Sequence, residues 1–378
     1  MPDSLPLAGL KIIEFAGIGP APYAGQLLAD LGADVVVVDR PERGAIGLAH
    51  GVERRGKRSI VIDLKAPEGA ALAARLAANA DVLIEGNRPG VMERLGLGPE
   101  EMMAANPALV YARMTGWGQS GPMAMQAGHD INYISLTGAL HAMGRADRPP
   151  PPPLNLVGDF GGGSMFLIMG ILAALYGARA SGRGQVVDAA IVDGVNSMMG
   201  MFHGLHAAGQ WVPKRGKNWL DGGAPYYRCY QTGDGRFMAV GCIEAKFFAE
   251  MLARLGITPE GFGGQHDKAR HPAQMAQLEA VFASRSMAEW AAVFEGSDAC
   301  VTPVLSYEEV AENPHMAARA ALEMHGGTRH PAIAPRIGGG HKVTGQTPDD
   351  GADSIEIMKE NGVGNIDELL ASGVVKQG

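Results

Sequence analysis

His129 and Asp159 are the side chains of this sequence best placed to do chemistry. His129 stands in Gln126-Ala-Gly-His-Asp-Ile-Asn-Tyr133, and Asp159 in Asn155-Leu-Val-Gly-Asp-Phe-Gly-Gly-Gly163. Each lies beside glycine at the head of an expected helix. An imidazole and a carboxylate facing each other across one carbon can invert it, one removing a proton from one face while the other returns a proton to the opposite face. A proton α to a carbonyl is weakly acidic, so the task needs a placed base and a stabilised enolate oxygen. The positive end of a helix dipole favours neutral imidazole at His129. The same helix end offers N–H groups, from Asp130 onward, to an enolate oxygen. The simpler reading is that His129 and Asp130, and likewise Asp159, cap their helices. Asn155 is spaced to hold either the Asp159 carboxylate or a substrate carbonyl. Gly161–Gly163 are expected to let the backbone approach a ligand. Glu244 opens the helix bearing Phe247 and Phe248; it either orients His129 by accepting an N–H or complements the helix dipole.

The elements that must position these groups follow from the apolar pattern. Lys11–Ala16, Asp34–Asp39, Ser59–Leu64, Asp81–Glu85 and Leu109–Thr115 read as strands, and the four valines of the second mark a strand buried on both faces. Tyr23–Leu31 and Ala66–Asn79 read as helices, with Pro22 suited to a first helical position. This is an α/β pattern, a doubly wound parallel sheet with right-handed crossovers. Asp130–Met143 is expected as one helix, and Pro149–Pro153 as a stiff connector. Ser164–Tyr176, apolar on nearly every face, is expected as a buried helix, Gln185–Val192 as a strand and Asn196–Ala208 as a helix. Tyr226–Gln231 and Arg236–Cys242 flank Thr232-Gly-Asp-Gly235 as a β-hairpin, followed by helices at Ala245–Leu255 and Met287–Phe294, a smaller α+β region. After Pro314 the periodicity weakens; Gly338–Gly340 and Gly345–Gly351 suggest loops, and Ile366–Ser372 a short closing helix. The expected domains are 1–208, a linker at 209–223, a small domain at 224–310, a return linker at 311–330, and a segment at 331–378 completing the large domain.

Composition narrows the partners. The 378 residues are 46% hydrophobic and 19% charged, with net charge −8, an ordinary globular balance that disfavours nucleic acid. Basic residues cluster in Arg40–Arg58 and at Arg88 and Arg94, which suits a small anionic ligand. Cys229, Cys242 and Cys300 show no CxxC spacing, so no metal site is expected; three reduced, buried thiols suit a cytoplasmic setting. No uninterrupted apolar run reaches the ~18 residues of a membrane span, so no membrane partner is expected. Gly17-Ile-Gly19 lacks the third glycine of a dinucleotide fingerprint, which argues against a nicotinamide oxidoreductase. His141, His203 and His206 are read as structural, and Met198, Met199 and Met201 as core filling or an adaptable acyl surface.

Leu7-Ala-Gly-Leu-Lys-Ile-Ile-Glu-Phe-Ala-Gly17, Leu28-Ala-Asp-Leu-Gly-Ala-Asp-Val-Val36 and Val38-Asp-Arg-Pro41 resemble the opening of family III coenzyme A transferases. Gly128-His-Asp-Ile-Asn-Tyr133, Asn155–Gly163, Asp221-Gly-Gly-Ala-Pro-Tyr-Tyr227 and Val240-Gly-Cys-Ile-Glu244 resemble the α-methylacyl-CoA racemase branch. The resemblance runs from about Leu7 to about Pro314. It implies a Rossmann-like large domain built from both chain ends, a small domain from the middle, and two subunits interlocked as rings, with each site completed by the partner. It implies that His129 and Asp159 are the two bases, His129 acting on the S and Asp159 on the R isomer, with Glu244 in support. It further implies coenzyme A contacts at Arg40, Ile62, Asp63, Leu64, Lys65, Gly86, Asn87, Arg88 and Arg94, and along Gly128, His129, Asp130, Ile131, Asn132 and Tyr133. The expected substrate is an acyl-CoA, with no separate cofactor. Two rivals remain. One is a transferase that uses Asp159 as nucleophile; it needs one carboxylate rather than a base on each face. The other is an acyl-CoA-binding protein without catalysis.

Overall fold

In the computed structural model, which describes residues 5–42, 51–338, 345 and 347–378, the apolar runs of the first half become one sheet. Its strands are β1 (Lys11–Phe15), β2 (Asp34–Asp39), β3 (Arg58–Ile62), β4 (Val82–Glu85), β5 (Val110–Thr115) and β6 (Val186–Ala190). Val35 to Val38 are buried on both faces, as a central parallel strand requires. The six strands are parallel in the order β3-β2-β1-β4-β5-β6, and Val375–Lys376 adds an antiparallel edge outside β3. The winding reverses between β1 and β4. In such sheets ligands bind beyond the carboxyl ends of the strands, beside that switch point. One core cluster joins Ile13, Val36, Ile60, Leu83 and Tyr111 of the sheet to Leu72 and Leu76 of helix Pro67–Ala78 and to Ile357 and Met358 of helix Ser354–Glu360.

Several elements depart from expectation. The first helix starts at Pro20, with Gly19 as its N-cap at φ 71°, so Pro20 rather than Pro22 opens it. Asp130–Met143 is two short helices, Asp130–Ser135 and Ala139–Ala142, because Gly138 turns left-handed at φ 80°. Strand β6 passes directly into helix Ile191–Met198, and Gly200–Ala207 is a separate helix. Leu156–Ser164 is π-helical and runs on into α-helix Met165–Ser181. The continuous 26 residues are long and apolar enough to span a membrane by length and composition, although they include Asp159. The helix is not buried all round: Leu167, Ile171, Ala174 and Ala178 face the core, while Met165, Met169, Leu172 and Tyr176 are 41, 59, 37 and 82% exposed.

Contacts divide the chain into two compact units, one of Met1–Thr137, Pro153–Met198 and Ala318–Gly378, the other of Gly138–Pro152 and Met199–Ala317. The sequence reading set its boundaries at 208, 223, 310 and 330 and did not single out the 138–152 excursion. Within the second unit the hairpin β7 (Tyr227–Gln231) and β8 (Phe237–Gly241) is extended by β9 (Val301–Pro303), all antiparallel. These strands pack Tyr230, Met238 and Val240 on Phe248, Phe282, Trp290 and Phe294. Helix His271–Phe282 and β9 were not anticipated. In the C-terminal segment of the first unit, β10 (Leu322–His325) and β11 (Thr328–Pro331) form a hairpin where weak periodicity suggested no structure. The closing helix is Ile366–Ala371. Of the loops expected from glycine, Gly339 and Gly340 lie outside the described residues, as does Arg43 of the basic cluster.

Candidate active site

The expected bases converge within the first unit. His129 is the N-cap of Asp130–Ser135 and is exposed; its N–H donates to Asn132 Oδ1 at 3.1 Å. Asp130 points inward, 7% exposed, and its Oδ2 accepts the Asp159 N–H at 2.7 Å, with the Gly158 N–H also favouring its charged form. A Cβ on Gly158 would stand 2.3 Å from that oxygen, so only glycine lets the two segments close. The Asp159 carboxylate is half-buried, accepts a long bond from Asn155 Nδ2 at 3.4 Å, and would lie 3.1 Å from a Cβ on Gly19 in the turn after β1. Burial pushes the Asp159 carboxyl up, Asn155 pulls it down, the Asp130 charge raises it and His129 lowers it. Burial likewise raises Asp130, against the two N–H bonds that favour its charged form.

Asp159 does not cap a helix, as one reading had it. It lies inside the π-helical turn, where Phe160 N–H donates to Asn155 O at 3.2 Å. π-Helical turns recur at functional sites because the extra residue per turn pushes a side chain out of the regular path. Gly162 and Gly163 are closely packed by neighbouring elements. A Cβ on Gly162 would lie 2.5 Å from Val195, one on Gly163 3.0 Å from Pro20, and one on Gly194 1.9 Å from the Gly162 carbonyl. Gly162, Gly163 and Gly194 let these helices pack closely.

Tyr133 fixes the loop in front of His129. Its ring leaves no room for a Cβ on Gly116 or Gly128, at 2.0 and 2.6 Å, and meets Trp117 edge-on at 4.7 Å. Its hydroxyl donates a short bond to the Gly128 carbonyl. Burial and the Asp159 charge hold that phenol protonated, against Arg88.

The positions matched to coenzyme A gather at the carboxyl edge of the sheet: Arg40 after β2, Ile62–Lys65 at the end of β3, and Gly86–Arg88 after β4, with Arg94 in the short helix that follows. Arg40 reaches across to Asn87 Oδ1 at 3.2 Å. Arg88, Arg94 and Lys65 are exposed. Ile62 is fully buried in the core and Leu64 packs on it, so Ile62 can meet a ligand only through its main chain. The Asp63 N–H is spent on Val374 O, and its carboxylate accepts the Lys65 N–H at 2.9 Å. Ile131 stays 42% exposed. Four cations of the broader basic cluster are already paired with carboxylates. Arg54 pairs with Asp39 and Asp350, Arg55 with Asp30, Lys57 with Glu14, and Arg58 with Asp34 and Glu360.

Glu244 belongs to the second unit, exposed at the N-cap of helix Ala245–Arg254. Two of the three thiols expected to be buried, Cys229 and Cys300, are exposed; Cys242 is buried and its thiol is pushed up to about 12 by burial. His141, His203 and His206, read as structural, line a cleft of ≈ 150 Å³ in the second unit with Phe202 and Trp211. Among the described residues no cluster of three or more His, Cys, Asp or Glu is arranged to hold a metal.

The chain is 43% identical to α-methylacyl-CoA racemase of Mus musculus over 94% of this chain and 93% of that protein. It is 44% identical to α-methylacyl-CoA racemase of Homo sapiens over 84% and 82%. A CaiB/BaiF family protein from Brucella suis superimposes with a TM-score of 0.81 at 27% identity, over 95% of this chain and all of that one. The sequence model of CoA-transferase family III matches residues 7–354. The parallel sheet, the motifs at its carboxyl edge and these matches agree: the chain belongs to CoA-transferase family III.

Proposed function

We propose that the chain interconverts (R)- and (S)-2-methylacyl-CoA thioesters by 1,1-proton transfer, with His129 and Asp159 as the two bases. The observation that carries this is the joining of the two through Asp130: one residue supplies the peptide next to His129 and the acceptor for the Asp159 N–H. In one direction neutral His129 takes the C2 proton, and the C–H electrons pass into the thioester as an enolate. Protonated Asp159 then delivers a proton to the opposite face. In the other direction ionised Asp159 takes the proton and imidazolium returns one. Burial and the Asp130 charge raise the Asp159 carboxyl, which favours its holding a proton between turnovers. The thioester's own acidity and two placed bases suffice for this step, so no metal or nicotinamide is invoked. Glu244 supports His129, and Arg40, Arg88 and Arg94 receive the coenzyme A phosphates.

We propose further that the working form is an interlocked homodimer in the cytoplasm. The exposed apolar stripe Met165–Met169–Leu172–Tyr176 supports self-association, and free exposed thiols suit a reducing compartment.

The test is incubation of one enantiomer of a 2-methylacyl-CoA in D₂O. Racemisation should proceed without an acceptor acid, with deuterium entering at C2. His129→Ala and Asp159→Ala should each lose ~10²–10⁴ in rate. The second reading, acyl transfer through an Asp159 anhydride, is favoured by the family's name. It predicts no C2 exchange and an absolute need for an acceptor carboxylate.

A further inference from the structure

The Asp130 carboxylate does more than a helix requires. It is 7% exposed, and its Oδ2 accepts the Asp159 N–H of the π-helical turn at 2.7 Å. Oδ1 is buried and makes no hydrogen bond among the described residues. A buried carboxylate with one unsatisfied oxygen is costly, and Gly158 gives up any side chain to admit it. We propose that Asp130 is a positioning residue that ties the two bases into one assembly, its own peptide carrying His129 and its carboxylate holding the main chain of Asp159. The inference rests on the two-base reading but is tested apart from it.

The tie has an electrostatic consequence. Burial raises the Asp130 carboxyl, and the main-chain N–H groups it faces work the other way, toward the charged form. A charged Asp130 beside Asp159 favours the protonated Asp159, which is the proton donor of one direction. The other neighbours of Asp159 are Asn155 and Ser164 on its own helix, His129 and Tyr133, and Arg88 acting by way of Tyr133. Helix Pro20–Asp30 packs on the turn with Tyr23 against Phe160 at 4.4 Å. Helix Ile191–Met198 packs there through Gly194 and Val195, with Asp193 as its acid. Of all these, Asp130 is the acid that acts directly on the Asp159 carboxyl.

Both directions of racemisation use the same singly protonated pair, so their kcat/KM values remain locked to the equilibrium constant. The informative readout is therefore the pH limb, which should move in parallel for both isomers. In Asp130→Asn, which keeps an acceptor oxygen but drops the charge, the Asp159 midpoint should fall by about one pH unit. The midpoint is read by ¹³C resonances of carboxyl-labelled aspartate, with Asp159→Asn for assignment and no substrate present. The acid limb of kcat/KM should move down with it, with KM little changed. In Asp130→Ala the Asp159 and Gly158 amides should also lose hydrogen-exchange protection, and turnover should fall at least tenfold further. Asp130→Ser, with a smaller acceptor, replaces the Asn variant if that one melts early. An unmoved Asp159 midpoint in a folded Asn or Ser variant, or undiminished amide protection in Asp130→Ala, overturns the proposal. A wild-type protein that exchanges no C2 proton would end the racemase reading, and the titration and amide measurements would still decide the role of Asp130.

Discussion

At the scale of single residues, the cations near the ligand edge divide by what each one faces. Arg55 is 1% exposed and makes a two-pronged bond to Asp30, at 3.0 and 2.6 Å, and a third to Pro331 O. Lys57 is enclosed by both Glu14 oxygens and Pro22 O. Arg88 and Arg94, by contrast, hold their charge in the open at the carboxyl edge. Removing Arg55 strands a buried carboxylate, so Arg55→Ala should cost about 3–5 kcal/mol in urea unfolding while leaving the KM of the folded fraction unchanged. Arg88→Ala and Arg94→Ala should leave the midpoint of unfolding in place and raise KM several-fold with kcat nearly constant, because a remote phosphate contact is equal in ground and transition states. A normal KM in both would move the phosphate site elsewhere. A sequence lists these arginines and lysines alike. Which of them already has a buried partner emerges only once Asp30 and Glu14 are folded against them.

At the scale of elements, helix Leu156–Ser181 shows how far an apolar pattern can be read. Its apolar character is plain in the sequence, which marks a helix at Ser164–Tyr176, but neither its full extent nor its direction of packing is. Ser164 is buried and donates to Pro20 O at 2.7 Å, and glycines 162 and 163 press on Val195 and Pro20. That turns Leu167, Ile171 and Ala174 inward and leaves Met165, Met169, Leu172 and Tyr176 on the outer face. Their spacing of four, three and four is a single helical stripe, of the kind that a second copy covers. Met169→Lys with Tyr176→Glu should therefore shift sedimentation of the protein toward monomer by at least tenfold in dissociation constant, with unchanged far-UV circular dichroism. An unaltered dimer would place the interface on another face. The hairpin of β10 and β11 was missed for a related reason. Leu322–His325 and Thr328–Pro331 alternate weakly, and their pairing is secured by partners distant in sequence, such as the Arg55 bond to Pro331 O.

At the scale of the whole molecule, Glu244 falls in a different unit from His129 and Asp159. Under the interlocked-dimer proposal, Glu244 of one chain serves His129 of the other. Inactive Glu244→Ala and inactive His129→Ala chains, co-expressed so that they assemble while folding, should then regain one intact site per mixed dimer, about half the specific activity of wild type. Verified mixed dimers that stay inactive, or a fully active monomer, would sink that arrangement. The sequence by itself determined the parallel sheet, since buried β-branched runs alternating with amphipathic helices leave few other folds. It also singled out His129 and Asp159 as candidates, because a titratable group beside glycine is a local signal, and the family motifs added Glu244. Only the tertiary structure decided that Asp130 is a buried strut rather than a cap, that Asp159 sits within a π-helical turn, that Gly158 and Gly162 are glycine to admit a carboxylate and a helix, and that most of the Arg40–Arg58 charges are spent on carboxylates. Those facts depend on which segments meet across tens to hundreds of residues, and neither local propensity nor spacing carries that information.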